Sequence, residues 1–253
     1  FDSVFTQKRY FEAYLWGAAG QLPDESRIFG HEYAPGITAG DDIFTVMSSD
    51  IFRGSAFALG YVNPDNLRGM NVWSDMYKVI RKANLMLARM DECQDMTALD
   101  RRNYTGYIHF LRGYAYYHIL MTCGPAILVG DEIFESNLDG PAYNTYRATY
   151  DETVEYICSE LETAAAYLPL KASIAQFERP TKGAAYALIA RLRLHAASPL
   201  FNGTSTARLY FGNWKRTYDK AYYINQNYSE EKWALAAAAC KRVIDMNVYE
   251  LFT

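Results

Sequence analysis

Residues 109–120, HFLRGYAYYHIL, bring two histidines, three tyrosines and an arginine together within twelve positions. Side chains of these types can bind a metal ion, exchange a proton or hold a ligand. A helical zinc site needs histidines on neighbouring turns, as in the HExxH pattern, whereas His109 and His118 are nine residues apart and lie on different faces. His31 and His195 supply no ligand spacing either. We therefore expect structural histidines, with no metal and no cofactor.

The same stretch is wrapped in apolar and aromatic residues. Two adjacent stripes cover more than half of the predicted helix, one formed by Tyr107, Phe110, Tyr114, Tyr117 and Met121 and the other by Ile108, Leu111, Ala115, Ile119 and Thr122. A helix that is apolar over such a width is buried between neighbouring elements. His109, Arg112 and Tyr116 are left on the narrower remaining side. The pattern predicts the interior of a helical repeat, with the tyrosine hydroxyls bonded at the edges of the packing.

Other catalytic patterns are missing from the sequence. It contains no GxSxG, no phosphate-binding glycine loop and no dinucleotide-binding fingerprint. The adjacent carboxylates Asp41 and Asp42, like Glu230 and Glu231, are predicted to be solvated or to favour a helix start, since a glycosidase pair needs a groove and a defined separation. The net charge of −4 gives no reason to expect a basic surface for nucleic acid. These residues carry no catalytic signature, and we expect no nucleic-acid partner.

The cysteines are widely spaced and form no CxxC pair: they are Cys93, Cys123, Cys158 and Cys240. Helix-embedded cysteines must meet strict geometry to form a disulfide, so we expect four buried or half-buried thiols. No apolar run approaches the ~18–20 residues needed to span a bilayer. No signal peptide is recognisable at the start, and we expect Phe1 to belong to mature, folded protein, with whatever preceded it removed by processing or truncation.

Hydrophobic periodicity predicts six helices, over residues 4–16, 73–91, 104–121, 150–169, 179–198 and 229–247. From residue 73 onward the helices follow one another in pairs. The first helix of each pair begins near a bulky aromatic residue, namely Trp73, Tyr150 or Trp233. The second helices carry small residues that permit close packing: Gly106, Gly113, Gly183, Ala184 and Ala185. The aromatic residues are 77 and 83 positions apart, far more than the ~34 residues of a tetratricopeptide repeat. We predict an all-α fold of tetratricopeptide-like helical hairpins with long inserted loops.

We expect one domain over residues 1–253. Within it, residues 21–72 form a candidate ligand-loop region, 73–198 two helical hairpins, 199–228 an aromatic insertion, and 229–247 a repeat helix without its partner. A single helix of a hairpin cannot bury its apolar face alone, so we expect the natural protein to continue beyond Thr253. Loops as long as 21–72 are usually functional or disordered, and the aromatic residues of this one argue against disorder.

Several segments resemble one known family in its own order. GYIHFLRGYAYYHILMTCGPAILV is similar to the FLR…GPxPLV segment of SusD/RagB-like outer-membrane lipoproteins. The resemblance extends to WSDMYKVIRKANLML, RATYDETVEYICSELETAAAYLP, RPTKGAAYALIARLRLHAAS and WALAAAACKRVIDMNVYEL, and so covers most of residues 73–251. His109 and Gly113 are mild departures, and family members are roughly twice as long as this chain.

The resemblance implies a binding function without catalysis. Members of this family sit on the cell surface of Bacteroidetes as lipid-anchored proteins of the outer membrane. They cap a SusC-like TonB-dependent transporter and capture oligosaccharides or, in some branches, peptides. The helical repeats would face the transporter, and the ligand would bind on the opposite, loop-built surface. The lipidated cysteine would lie outside this chain, since its first cysteine is Cys93.

Sugar recognition needs an aromatic platform and nearby planar polar side chains. The 21–72 region offers both, and from it we predict ligand contacts by Asp42, Arg53, Tyr61 and Asn66. Aspartate and asparagine also favour turns for backbone reasons alone. Trp73 is expected to pack at the head of its helix, with an edge that could line the site. In the aromatic insertion, for which we favour a small satellite core, Trp214 beside Lys215 is the best candidate for a ligand or partner contact.

From the residues alone, three other functions remain open. A cytosolic tetratricopeptide adaptor would bind a peptide tail, although the long aromatic insertions speak against it. A surface glycosidase would need two carboxylates with separated pKa values. A self-assembling or adhesive surface protein could reuse the same helical repeats. Within the family, a peptide-binding member is the alternative to a glycan-binding one.

Overall fold

The computed structural model describes residues 2–24, 36–41, 43, 45–46, 54–63, 65–67, 71–134 and 145–251. These residues form α-helices and no β-strand: α1 Lys8–Ala19, α2 Ser55–Ala58, α3 Trp73–Arg89, α4 Ala98–Cys123, α5 Tyr150–Tyr167, α6 Lys182–Ala197, α7 Ser205–Phe211 and α8 Glu230–Asp245. Short 3-10 helices cover Asp2–Phe5, Gly36–Ala39, Met90–Glu92 and Ile174–Gln176. Within the described part of the chain, no helix is both long enough and apolar enough to cross a membrane.

The long helices pack in chain order, each antiparallel to the one before. α3 packs on α4, α4 on α5, α5 on α6, and α6 on α8. The alternation places the start of α3, the end of α4, the start of α5, the end of α6 and the start of α8 together, and we call this the loop end of the bundle. The predicted all-α architecture of helical hairpins with inserted loops is confirmed.

Local capping explains where the helices begin. α4 starts six residues before the predicted position 104, because Thr97 accepts a hydrogen bond from the Asp100 amide while the Asp100 carboxylate accepts one from the Thr97 amide. Thr149 and Glu152 form the same capping box at α5. α6 starts at Lys182, three residues after the predicted position 179, because Thr181 caps it through the Ala184 amide.

The first and last helices also differ from their predicted bounds. Residues 4–16 were expected to be helical, whereas a 3-10 turn precedes α1, which runs on to Ala19. The side chain of Ser229 makes no cap bond at the start of α8. Asn202 holds this start instead, because its side-chain amide accepts from the Ser229 amide and donates to the Ser229 carbonyl, both at 2.9 Å.

Small residues bring α4 and α5 together as predicted. A Cβ on Gly113 would lie 3.2 Å from side-chain carbons of Glu160 and Leu161, and one on Gly106 would lie 3.0 Å from the Leu168 amide nitrogen. The side chains on both helices therefore interlock closely. At Gly183 the neighbour is not a helix but Tyr249, which follows α8 and occupies the space that a Cβ would need.

The narrower side of α4, on which the sequence places Arg112 and Tyr116, is buried as well. Arg112 is only 3% exposed and Tyr116 is fully buried, because α3 and α5 flank α4 on both sides. His109 and His195 are bonded structural histidines, as predicted: His109 Nδ1 lies 2.9 Å from a Glu160 oxygen, and His195 Nδ1 lies 2.8 Å from the Tyr150 hydroxyl. His31 lies outside the described residues.

The last helix packs on α6 and leaves its other face open. Only Ala236 of α8 is buried, and the large apolar side chains of Trp233, Leu235 and Ile244 are exposed. All four cysteines are free thiols. Cys93 and Cys158 are buried and Cys123 is half-buried, but the prediction fails for Cys240, which is exposed on the open face of α8.

Candidate functional site

At the loop end, an arginine is held over the indole of Trp73. The Arg147 guanidinium lies 4.5 Å from the centre of the Trp73 ring, close enough for a cation–π contact. Its position is fixed because one nitrogen donates to the carbonyls of Cys123 and Pro125, at 2.8 and 3.2 Å. Trp73 is half-buried and also contacts the Tyr77 ring, with centroids 5.0 Å apart. Trp73 therefore both packs and borders the surface.

Trp214 reaches the same turn from the aromatic insertion. A Cβ on Gly124 would lie 3.5 Å from Cη2 of Trp214, and Gly124 itself has φ of +77°, a conformation that favours glycine. The Trp214 ring packs against Tyr223 at 4.7 Å and remains 37% exposed. Arg147 and Trp214 thus both contact the turn 123–125, and Arg147 joins Trp73 to it.

The segment that follows this turn is hydrogen-bonded to α3 and α4 through tyrosine side chains. The Tyr77 hydroxyl donates to the Ile127 carbonyl at 2.9 Å and accepts from the Ile127 amide at 2.8 Å. The Tyr116 hydroxyl accepts from the Val129 amide at 3.1 Å. Burial raises the pKa of both tyrosines above the ordinary range, so both hydroxyls stay protonated and neutral. Of the tyrosines in the α4 stretch, Tyr116 thus has the hydrogen-bond partner that was predicted for such hydroxyls.

A buried ionic network holds the later part of the same segment, at residues 130–132. Arg112 binds both carboxylate oxygens of Glu160 at 2.7 Å and donates to Asn84 and Asp131 at 2.8 and 2.6 Å. The Asn84 amide donates to the carbonyls of Gly130 and Glu132. Burial alone would raise the pKa of Glu160, but bonds from His109 and Arg112 outweigh it and hold that pKa below its usual value. Glu160 is therefore ionised at neutral pH.

The insertion forms a small aromatic core with an exposed rim. Phe201 stacks on Tyr150 at 4.5 Å and continues through Phe211 to Trp214. Ala207 and Ile224 are buried beneath it. The predicted satellite core is not separate, because Ile224 is part of the main core of the bundle and Phe201 and Phe211 pack against that core. A hairpin-like turn is anchored to the bundle by Arg216, which binds Glu152 and Asp219 at 2.8 and 2.7 Å.

On that rim two tyrosines from distant parts of the chain meet. Tyr146 and Tyr218 have ring centroids 4.5 Å apart and are 61% and 55% exposed. The Arg216 guanidinium lies 5.2 Å from the Tyr218 ring. Exposed aromatic rings held in place in this way present flat apolar faces beside polar groups, as a sugar-binding surface requires.

Two of the predicted ligand residues line one open cavity. Tyr61, which is 53% exposed, and Asn66 border a space of about 410 Å³ together with Gly60 and Asn63. The Asn63 side chain accepts from the amides of Asp65 and Asn66 at 3.0 and 2.9 Å, which is the asparagine turn foreseen as the structural role of such residues.

The six predicted ligand residues therefore have different outcomes. Tyr61 and Asn66 share the 410 Å³ cavity. Trp214 contacts the turn at the loop end, and Arg147 joins Trp73 to that turn. Asp42 and Arg53 lie outside the described residues. Sequence reasoning missed Arg147, Tyr146 and Tyr218 as site residues, although Arg147 belongs to a quoted motif and Tyr218 to the aromatic insertion.

The chemistry of these surfaces is that of binding. Stacking rings, a fixed guanidinium and side-chain amides can hold a polyhydroxylated or planar ligand. Among the residues that the structure describes, no group of three or more histidines, cysteines or carboxylates is placed to hold a metal ion.

Comparisons with known proteins give a consistent result. The family model named SusD-like, described as "Starch-binding associating with outer membrane", matches residues 40–194. The fold is similar to a SusD-like protein from Bacteroides fragilis (20% identity, TM-score 0.69, covering 99% of this chain and 40% of that one). It is also similar to a laminarin-binding SusD-like protein (21% identity, TM-score 0.62, covering 76% of this chain and 41% of that one). A third similar structure is surface glycan-binding protein A from Bacteroides thetaiotaomicron (15% identity, TM-score 0.62, covering 98% of this chain and 45% of that one).

The chain thus spans less than half the length of these three structures. No curated protein matches it.

Proposed function

The chain belongs to the SusD-like family, and from this we propose that it is a glycan-binding protein that captures oligosaccharides at the outer membrane and has no catalytic activity. The observation that carries the proposal is that Arg147 and Trp214 both contact one turn at the loop end, to which Arg147 joins Trp73. A guanidinium and two indoles around a rigid turn supply ring faces and hydrogen-bond donors together.

The proposed ligand surface has two parts. Trp73 and Trp214 form the first with Arg147, and the tyrosine pair 146 and 218 extends it. Tyr61 and Asn66 form the second, and we assign Asp42 and Arg53 to the same ligand surface from their place in the 21–72 region. The similarity to a laminarin-binding protein and to a surface glycan-binding protein supports a glycan over other ligands.

We further propose delivery of the glycan to a SusC-like TonB-dependent transporter, from a position on the cell surface secured by a lipid anchor. This rests on the family description, which places its members at the outer membrane. The bound oligosaccharide would pass from the loop end to the transporter, so the chain would work by capture and release.

Calorimetric titration with a panel of oligosaccharides tests the ligand. The panel contains α-glucan, β-1,3-glucan and mannan fragments, with mixed peptides as the alternative ligand class. We expect saturable binding of at least one glycan, weakened about fivefold to tenfold by Trp214→Ala or Tyr218→Ala, as loss of one stacked ring predicts. Trp214→Phe keeps a ring and should retain most of the affinity. Phe177→Ala is the matched control, because Phe177 is an exposed aromatic residue at the opposite end of the bundle.

The outcomes separate the candidate functions. Binding of peptides alone would replace the glycan by the peptide alternative, and hydrolysis of a chromogenic glycoside would contradict a purely binding role. Purification of the native protein from its own outer membrane in mild detergent, followed by mass spectrometry, tests the partner. A stoichiometric TonB-dependent transporter is expected, and its absence would remove the delivery step while leaving glycan capture intact.

A further inference from the structure

A second cavity, unrelated to the proposed glycan surface, lies on the flank of the bundle. It encloses about 630 Å³ between α1, the middle of α4 and the start of α6. From Tyr114, its last lining residue on α4, to Gly124 at the loop end is about 15 Å along the helix axis. Cavities of a few hundred cubic ångströms are the size that binds small molecules.

The walls of this flank cavity are aromatic and held in fixed orientations. Trp16 packs against Tyr107 with ring centroids 5.4 Å apart, and Phe110 packs against Tyr114 at 5.8 Å. Leucine, alanine and proline side chains fill most of the remaining lining. Such a lining favours an apolar ring system and offers few partners to a polyhydroxylated sugar.

The guanidinium of Arg179, which lines the cavity, has no acceptor among the described residues. The Arg179 guanidinium lies 4.7 Å from the Trp16 ring centre and 6.0 Å from that of Tyr107, and it makes no ion pair with any carboxylate in the described part of the chain. A guanidinium held only by ring faces keeps its donors for an anion.

We propose that the flank cavity binds a small amphiphilic acid, whose apolar ring lies against the aromatic walls and whose carboxylate or sulfonate pairs with Arg179. The neighbouring Glu178, which carries the opposite charge to Arg179, is exposed at the rim of the cavity. The site is independent of glycan capture, since it shares no residue with the proposed glycan surface.

The test is a fluorescence titration with 8-anilinonaphthalene-1-sulfonate, which combines aromatic rings with an anionic head. We expect saturable enhancement at one site. 3-Phenylpropionate should displace the probe, and its uncharged amide, which has the same ring, should do so about tenfold less well, because the charge-assisted bond is lost. This acid–amide comparison needs no variant and so does not depend on the folding of one.

Variants then test whether the probe binds in the flank cavity. Ala184→Leu fills the cavity and should abolish displaceable binding, and Arg179→Met should bring the acid down to the affinity of the amide. Arg102→Met is the control, because Arg102 is an exposed arginine near the start of α4 that does not line the cavity. Probe binding that survives Ala184→Leu would place the probe elsewhere and overturn the proposal. Equal displacement by acid and amide would overturn the anionic ligand class, and a lack of saturable binding would show that the cavity is filled by the protein itself.

Discussion

Replacement of Arg112 by methionine should destabilise the fold more than any surface change. The guanidinium is 3% exposed and Glu160 is 6% exposed. Arg112→Met would keep the aliphatic bulk but remove both bonds to the Glu160 carboxylate, together with those to Asn84 and Asp131. Glu160 would then remain buried with His109 as its only bonded partner among the described residues.

The expected loss of folding stability comes from the Glu160 carboxylate, which would stay buried without its arginine partner. Breaking a buried ion pair from one side costs ~3–5 kcal/mol, so we take about 4 kcal/mol for Arg112→Met. That is a large part of the roughly 5–15 kcal/mol that stabilises a typical domain. With a urea dependence of about 3 kcal/mol per M, the midpoint should fall by about 1.3 M. Urea unfolding followed by far-UV circular dichroism measures this shift.

A double-mutant cycle identifies the cause. In Arg112→Met/Glu160→Met both charges are gone, so the double variant should lose no more stability than Arg112→Met alone. Lys241→Met is the control: it breaks the exposed pair with Asp245 on α8 and should change the midpoint little. A loss below about 1 kcal/mol for Arg112→Met, or additive effects in the double variant, would refute the interpretation of the network as a buried pair whose halves depend on each other.

Three further outcomes are expected. Gly113→Ala should cost about 1–3 kcal/mol in thermal or urea unfolding, because its Cβ would press on α5, whereas Gly17→Ala has open space and should stabilise α1 by about 0.5–1 kcal/mol; equal effects would contradict the close approach of α4 and α5. In the native protein Cys240 should react with a thiol reagent first, since burial raises the pKa of Cys158 to about 12; fast labelling of Cys158 would contradict its burial. Folding lowers the pKa of Glu160 from its unfolded value near 4.5. The ionised carboxylate therefore stabilises the fold at pH values above 4.5, and this stabilisation is lost as the pH falls through the folded pKa. The stability gap between wild type and Glu160→Gln should therefore shrink below pH 4.5, and a constant gap would contradict the assignment.

Periodicity and turn chemistry in the sequence determined the helices and their hairpin arrangement. The stripes on α4, the small residues facing α5 and the aromatic residues at the heads of α3, α5 and α8 are short-range patterns, and each is legible without coordinates. The start of α4 at Ala98 was missed, although Thr97 and Asp100 carry a capping signal, because the apolar period becomes clear only near Tyr104.

Only the tertiary structure decided which side chains meet. The local pattern put Arg112 on the narrower side that the apolar stripes leave, but α3 and α5 enclose that side, and Glu160 on another helix makes the burial of Arg112 possible. The cluster of Trp73, Arg147 and Trp214 and the Tyr146–Tyr218 pair join residues far apart in the chain, and no period within one helix encodes such contacts. They are fixed because antiparallel packing carries the ends of successive helices to one side, where the inserted loops fold over them.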